Sequence, residues 1–406
     1  MKKNVKKVLA TALVAGMSVA AFAGCTATPK TSSMTDVMNI ASELDSYSYS
    51  YKCSVTEGDE TIDVEMYGKC TEEAITMSVK VESDSEYMEM DYDAKDVLIA
   101  TKDALYVNLA EIEDEFLDGM DLGTYGLDAE WIKLDYGMEV ELSDTTASFG
   151  TMFEAFEDAY GDMIEEEDGE YVLTIDDNDS AQEFLELTAD MIDENKADWA
   201  DLMVSSYESF DYETFLSNFM NSLFMEINKT FDLGMSSSEI ESGVEDILAE
   251  IDFEELTSEM DASYYEDMLT DTAEELRYAA EEVDFEEGDG EIEIKAYQDG
   301  KEYVTSATVE YEDEYDSYSM EYEYKIVSEK VEIEIPEDDV MTVEEAICAA
   351  LEMFGGDIYA EDVEELIDEL EGAVDLDDLD DLMDYDDLMG SDYEDWYDDE
   401  YWDEEW

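Results

Sequence analysis

Apolar and polar residues alternate with a period of two through much of the first hundred residues. Tyr47, Tyr49, Tyr51, Cys53 and Val55 alternate with polar neighbours, and so do Ile62, Val64 and Met66, then Ile75, Met77, Val79 and Val81. Period two places one set of side chains on each face of a strand, so these stretches predict half-buried antiparallel strands. Tyr87 to Tyr92, Val97 to Thr101 and Ala104 to Leu109 extend the meander, and Trp131, Ile132 and Leu134 predict a further strand. Before it, Met34, Val37, Met38, Ile40, Ala41 and Leu44 recur at helical spacing.

The period then changes. A helix is expected over about 151–160, a strand over Tyr171 to Ile175, and a helix after the Asn178/Asp179 cap signal, with Phe184, Leu187, Met191 and Ile192 on its apolar face. Residues 195–285 read as mostly helical. Within them Phe215, Phe219, Met220, Leu223, Phe224 and Ile227 form one broad apolar stripe, and Ser236 with Glu239 makes a capping box ahead of Ile240, Val244, Ile247, Leu248 and Ile251. A second meander follows: Ile292 and Ile294, the hairpin signal Asp299-Gly300, Tyr303 to Tyr311, then Met320, Tyr322, Tyr324 and Ile326, then Val331, Ile333 and Ile335 before Pro336. Thr342 and Glu345 form a second capping box, for a helix expected to end at Gly355-Gly356. Val363, Leu366, Ile367 and Leu370 mark a last short one.

The pattern thus predicts an α+β fold, a curved antiparallel sheet packed against helices. The expected organisation is a leader over 1–24, a polar tether over 25–33, an α+β domain over 34–345, C-terminal helices over 346–373 and an acidic tail over 374–406.

The leader has the three parts of an export signal: Lys2, Lys3, Lys6 and Lys7, an apolar run from Val8 to Ala23, and the small residues leading to Gly24-Cys25. The run is too short for a stable membrane span of ~20 residues. Phe22-Ala23-Gly24-Cys25 resembles the lipobox of bacterial lipoproteins, which implies lipid attachment to Cys25, loss of residues 1–24 and a place on the extracytoplasmic side of the cell membrane. Ordinary secretion with cleavage after Ala21-Phe22-Ala23 also fits the small-x-small rule.

Charge narrows the functional classes. Asp and Glu number 120 against 18 Lys and Arg, for a net charge of −102, and there is no histidine. Such a surface repels polyanions, so nucleic acid is excluded as a partner. Histidine-dependent triads, His-ligated zinc and histidine pH switches are excluded too. Loss of the four leader lysines would take the net charge to −106. The segment from Asp375 to Trp406 holds 17 acidic residues in 32 and no basic one, together with seven aromatics. Leu376, Leu379, Leu382, Tyr385 and Leu388 recur every three residues, which sweeps around a helix and forms no single face, so disorder is expected there.

Three cysteines remain if Cys25 carries lipid. A tight hairpin at Gly58-Asp59-Glu60 sets Cys53 opposite residue 64 or 65, leaving Cys70 about 17–20 Å further on, beyond the ~7 Å limit for a disulfide. Free thiols are expected for Cys53 and Cys70, a disulfide between them requiring another register.

The order of a lipobox, a first helix, a Tyr-rich meander, the strand Trp131-Ile-Lys-Leu-Asp135, central helices and a closing Val331-Glu-Ile-Glu-Ile-Pro336 resembles the lipoprotein-carrier-like half-barrels. That resemblance implies a curved sheet plugged by helices, with a cavity between them for acyl chains.

No candidate chemistry stands out. Asp176-x-Asn178-x-Ser180 begins like an EF-hand loop, but position six is Ala181 and position twelve Leu187, so no metal site is expected and a helix cap is the better reading. Among 120 acids, glycosidase-like carboxylate pairs carry no specificity. No catalytic residue and no cofactor are expected. The leading functional expectation is non-enzymatic binding of an acyl or other apolar ligand, with Phe215, Phe219, Met220, Leu223, Phe224 and Ile227 as cavity lining or as plain core. The alternative is an acidic cell-surface protein that contacts partners, or weakly binds divalent cations, through its tail.

Overall fold

A computed structural model describes residues 31–57, 60–85, 88–116, 122–138, 155–167, 169–208, 211–251, 262–283, 290–312 and 317–354. Cys25 and the leader, residues 355–373 and the acidic tail lie outside the described residues.

The fold is the expected α+β class: a curved, unclosed, almost wholly antiparallel sheet packed by helices. Its twelve strands are β1 (Ser46–Glu57), β2 (Glu60–Thr71), β3 (Ala74–Ser85), β4 (Met88–Thr101), β5 (Ala104–Asn108), β6 (Trp131–Asp135), β7 (Ile164–Glu167), β8 (Glu170–Ile175), β9 (Gly290–Asp299), β10 (Glu302–Glu312), β11 (Ser317–Ser328) and β12 (Val340–Thr342). Their order is β12-β6-β5-β4-β3-β2-β1-β11-β10-β9-β8-β7. The two meanders are therefore one sheet, joined where β1 pairs antiparallel with β11, Tyr51 opposite Tyr324.

The helices are α1 (Met34–Met38), α2 (Leu109–Phe116), α3 (Asn178–Glu208), α4 (Tyr212–Thr230), α5 (Ser237–Glu250), α6 (Ala262–Glu282) and α7 (Val343–Phe354), with a further turn of helix at 155–160. The cap of α3 is Asp177, whose carboxylate accepts from the Ser180 N–H at 2.8 Å, in place of the Asn178/Asp179 pair that the sequence suggests. Both capping boxes form. Ser236 and Glu239 bond reciprocally at α5, and Thr342 and Glu345 do so ahead of α7, at 3.0 and 3.2 Å.

Several elements differ from the sequence expectation. Tyr87 to Tyr92 and Val97 to Thr101 fall largely on one strand, β4, whose pairing with β3 shifts between Met77 and Val79, next to the left-handed Asp96 at φ 46°. The alternating residues Val331 to Ile335 form no strand. Ile333 packs instead against Ile99, Ala104, Tyr106 and Trp131, which cover the other face of β4–β6. The chain then adds the short β12 beside β6, the one parallel pairing among the described strands. The hairpin signal at Asp299-Gly300 is displaced by one residue: Asp299 pairs with Glu302, so Gly300 and Lys301 make the turn, with Gly300 at φ 64°.

The main core lies between one sheet face and the pair α3 and α6. Tyr47, Leu173, Ile175, Ile294, Tyr303, Tyr322 and Ile326 from the sheet meet Phe184, Leu185, Ala189 and Trp199 of α3 and Leu269, Ala273 and Leu276 of α6. Arg277, the one arginine of the chain, ties the two helices through Asp190 at 2.8 Å and Asp193 at 2.6 Å. No helix among the described residues is long and apolar enough to cross a membrane.

Candidate functional site

The apolar face of the sheet is covered unevenly. Over β8–β11 and at the start of β1 it is mostly sealed, with Tyr47 and Leu173 at 0 % exposure and Ile294 at 1 %, while Tyr49, Tyr51, Cys53 and Val55 further along β1 are half-buried. The same face continues onto β2–β6, as the register shows. Met66 faces Val79 and Val64 faces Val81; Met77 faces Leu98, Leu98 faces Val107, and Val107 faces Ile132. All of these are only half-buried. The reason is the use of the helices. The long α3 and α6 are spent on the β8–β11 half, while α4, α5 and α7 pack on one another.

That second cluster is where the stripe goes. Phe224 and Ile227 are buried against Ile240, Val244 and Ile247 of α5 and Cys348 of α7, with Met220 and Leu223 half-buried beside them. Phe215 and Phe219 stack at 6.2 Å between ring centroids and remain half-buried. The structure thus divides the six residues: the C-terminal four pack into a helix–helix core, and the N-terminal two stack on each other. Asn218, between them in sequence, donates its Nδ2 hydrogen to the Gly137 carbonyl at 3.1 Å, just past the end of β6. This contact holds the first half of α4 beside the sparsely covered end of the sheet.

At the boundary between the sealed and half-covered halves lies a tyrosine cluster that the alternation of β1 made legible. Tyr47 faces Cys70, and Cys53 faces Val64, as the hairpin argument required. Tyr51 meets Tyr322 edge to face at 4.7 Å. Cys53 and Cys70 are both thiols. Burial pushes the Cys70 thiol up to about 11 and the Tyr49 phenol up to about 12, so both are protonated at neutral pH. Burial raises Tyr322 and Tyr324 still further. A thiol so shielded is a poor nucleophile. The Tyr47 hydroxyl is fully buried, with the Cys70 thiol, a weak hydrogen-bonding group, beside it.

The arrangement offers an apolar floor with neutral polar groups at one margin. Among the described residues, no group of three or more Cys, Asp or Glu side chains is placed to hold a metal ion. The sequence reading missed this floor as a site because a half-buried and a fully buried strand face share the same period. No known protein family, curated protein or solved structure matches this chain.

Proposed function

We propose that this protein is a lipid-anchored, extracytoplasmic binding protein that holds an apolar ligand of acyl type on the β2–β6 face, with Phe215 and Phe219 at its margin. The observation that carries the reading is the gradient of burial across one continuous apolar face, from sealed at Tyr47 and Leu173 to half-covered at Val64, Val81, Leu98 and Val107. Covering ~200 Å² of such surface would contribute roughly 5 kcal/mol at ~25 cal/mol per Å², before the costs of association. The lipobox-like Phe22 to Cys25 supports the anchor, and the resemblance to half-barrel lipoproteins supports the ligand class.

Native mass spectrometry of the purified mature protein, with displacement of a fluorescent fatty-acid analogue, tests this reading. A bound lipid is expected, and Leu98→Asp or Val107→Asp should abolish analogue binding while leaving the helical circular dichroism unchanged. Absence of lipid together with analogue binding that both substitutions leave intact would refute the reading.

The composition of residues 375–406 favours a second role, contact with a basic partner or divalent cations by the tail. A chain ending at Val374 should then lose calcium or partner binding; unchanged binding would remove this second role.

A further inference from the structure

Strand parity sorts charge between the two faces of the sheet. Along β2 from Ile62 to Cys70, and over β3 to β6 outside the bulge at 95–97, the register puts no Asp, Glu, Lys or Arg on the face of Val64, Val81, Leu98 and Val107. The first charged positions in this register are Glu57 and Glu60, paired at the β1–β2 hairpin, and both are acidic. The polar side chains that the face does carry are uncharged. Ser83 and Tyr92 lie on it, half-buried, and Tyr51 stands at its boundary with β1, each with a hydroxyl, a group able to donate and accept.

The lysines of these strands go to the other face. Lys69 stands between Gly68 and Cys70, Lys80 between Val79 and Val81, and Lys133 between Ile132 and Leu134, so alternation turns each of them away. There they are engaged. Lys80 meets Glu82 and Lys133 meets Asp135, both at 2.7 Å, and the Lys69 ammonium donates to the Glu332 carbonyl at 3.4 Å. Lys95, in the bulge, lies 3.7 Å from the Asp93 carboxylate, which accepts from the Tyr67 hydroxyl on that opposite face. On the neighbouring β1, Lys52 pairs with Glu65 at 3.5 Å, again on the opposite side.

A carboxylate or phosphate laid on the β2–β6 floor would therefore leave water with no cation to meet it. Left in water at the rim, it would still sit in the field of a chain whose net charge is −102. A cationic head gains from that field, but the floor offers it no carboxylate, and a gain at long range is screened by salt. A head without charge meets neither cost. We infer that the ligand of the β2–β6 face is a neutral acyl lipid, of the acylglycerol or ester kind, and not a free fatty acid or an anionic phospholipid. The inference rests on the proposal that this face binds an acyl ligand, and adds the class of head group. A fatty-acid analogue is then held by its chain, more weakly than its neutral counterpart.

Three ligands with chains of equal length test this on the purified mature protein: monododecanoylglycerol, dodecanoate and dodecyltrimethylammonium, each titrated calorimetrically below its micelle concentration. At about 0.15 M NaCl the glyceride should bind at least about tenfold more tightly than dodecanoate, and about 0.5 M NaCl should narrow that gap without weakening the glyceride. Leu98→Lys and Val81→Lys, each placing an ammonium on the floor, should shift the ratio toward dodecanoate. Dodecanoate binding to the parent as tightly as the glyceride would overturn the neutral head group and leave the acyl site standing. Tighter binding of the cation than of the glyceride at the higher salt would overturn it too, by placing a carboxylate in the site. An unchanged ratio in both folded lysine variants would move the ligand off this face. Failure of all three ligands to bind the parent would overturn the acyl-ligand reading itself.

Discussion

Tyr49 and Gly68 face each other across β1 and β2, and the tyrosine hydroxyl passes over the glycine to donate to the Thr76 carbonyl on β3 at 2.8 Å. A Cβ at position 68 would stand 1.9 Å from that carbonyl oxygen. The β2–β3 ladder pairs Tyr67 with Ser78 and Cys70 with Ile75, and between them the Lys69 N–H donates to Thr76 Oγ1 at 3.1 Å. One glycine thus lets three strands be laced by a side chain at the margin of the sealed core.

Gly68→Ala should destabilise the fold by roughly 1–3 kcal/mol, because backbone has to move to admit the methyl group. Tyr49→Phe, which only strips the Thr76 carbonyl of its donor, should cost about 1 kcal/mol. Urea unfolding of both variants measures this, and equal stability of Gly68→Ala and the parent would contradict the close approach.

Tyr47→Phe should raise stability. The Tyr47 hydroxyl is buried with only the weakly hydrogen-bonding Cys70 thiol beside it, and its removal relieves a desolvation penalty of roughly 1–3 kcal/mol while keeping the ring. Tyr47→Ala should instead cost about 3–5 kcal/mol by leaving a cavity. A Phe variant with a lower thermal midpoint would show that the contact with the Cys70 thiol outweighs that penalty.

Alkaline unfolding should be cooperative. Burial lifts Cys70 from its ordinary 9 to about 11 and Tyr49 from 10 to about 12. A folded-state value above the unfolded one gives stability that is complete below the unfolded value and is lost as pH rises through the folded one. Each group therefore withdraws roughly 2–3 kcal/mol, Cys70 between about pH 9 and 11 and Tyr49 between about 10 and 12. Tyrosinate absorbance and circular dichroism should change together above pH 10. Free ionisation of these tyrosines at their ordinary value with the fold intact would exclude the effect.

Glu111 and Glu115, one turn apart on α2, accept from the Lys95 and Asp93 N–H groups of β4 at 2.9 and 3.1 Å. They occupy the edge that the short β5 leaves open, since β5 pairs only with Leu98 to Ala100. Glu111→Ala combined with Glu115→Ala should free two strand donors and promote edge association. Sedimentation should show concentration-dependent oligomers; a monomeric double variant would deny the carboxylates this role.

Much of the architecture was readable from residues alone because it depends on neighbours in sequence. Alternation from Tyr47 to Val55 specified both the strand and its inward face. The tight turn after Glu57 placed Cys53 opposite Val64, and Ser236 with Glu239 located the start of α5. The helical stripe from Phe215 to Ile227 was equally plain as a stripe. Its partner was not, since apolar periodicity states that a face is covered and carries no information on what covers it.

The sequence by itself determined the signs and the periods: a chain with 120 acids and no histidine, strands at period two, helices at 3.6, and the chemistry thereby excluded. Tertiary structure decided what depends on contacts distant along the chain. It joined the meanders through β1 and β11, whose partners Tyr47 and Ser328 are far apart in sequence, and left Val331 to Ile335 outside any strand despite their alternation. It also committed α3 and α6 to one half of the sheet, and so set which apolar residues are sealed and which remain half-covered. Backbone hydrogen bonding and side-chain alternation are local, whereas the pairing of strands and the sharing of helices between competing apolar faces are settled by packing of the whole domain.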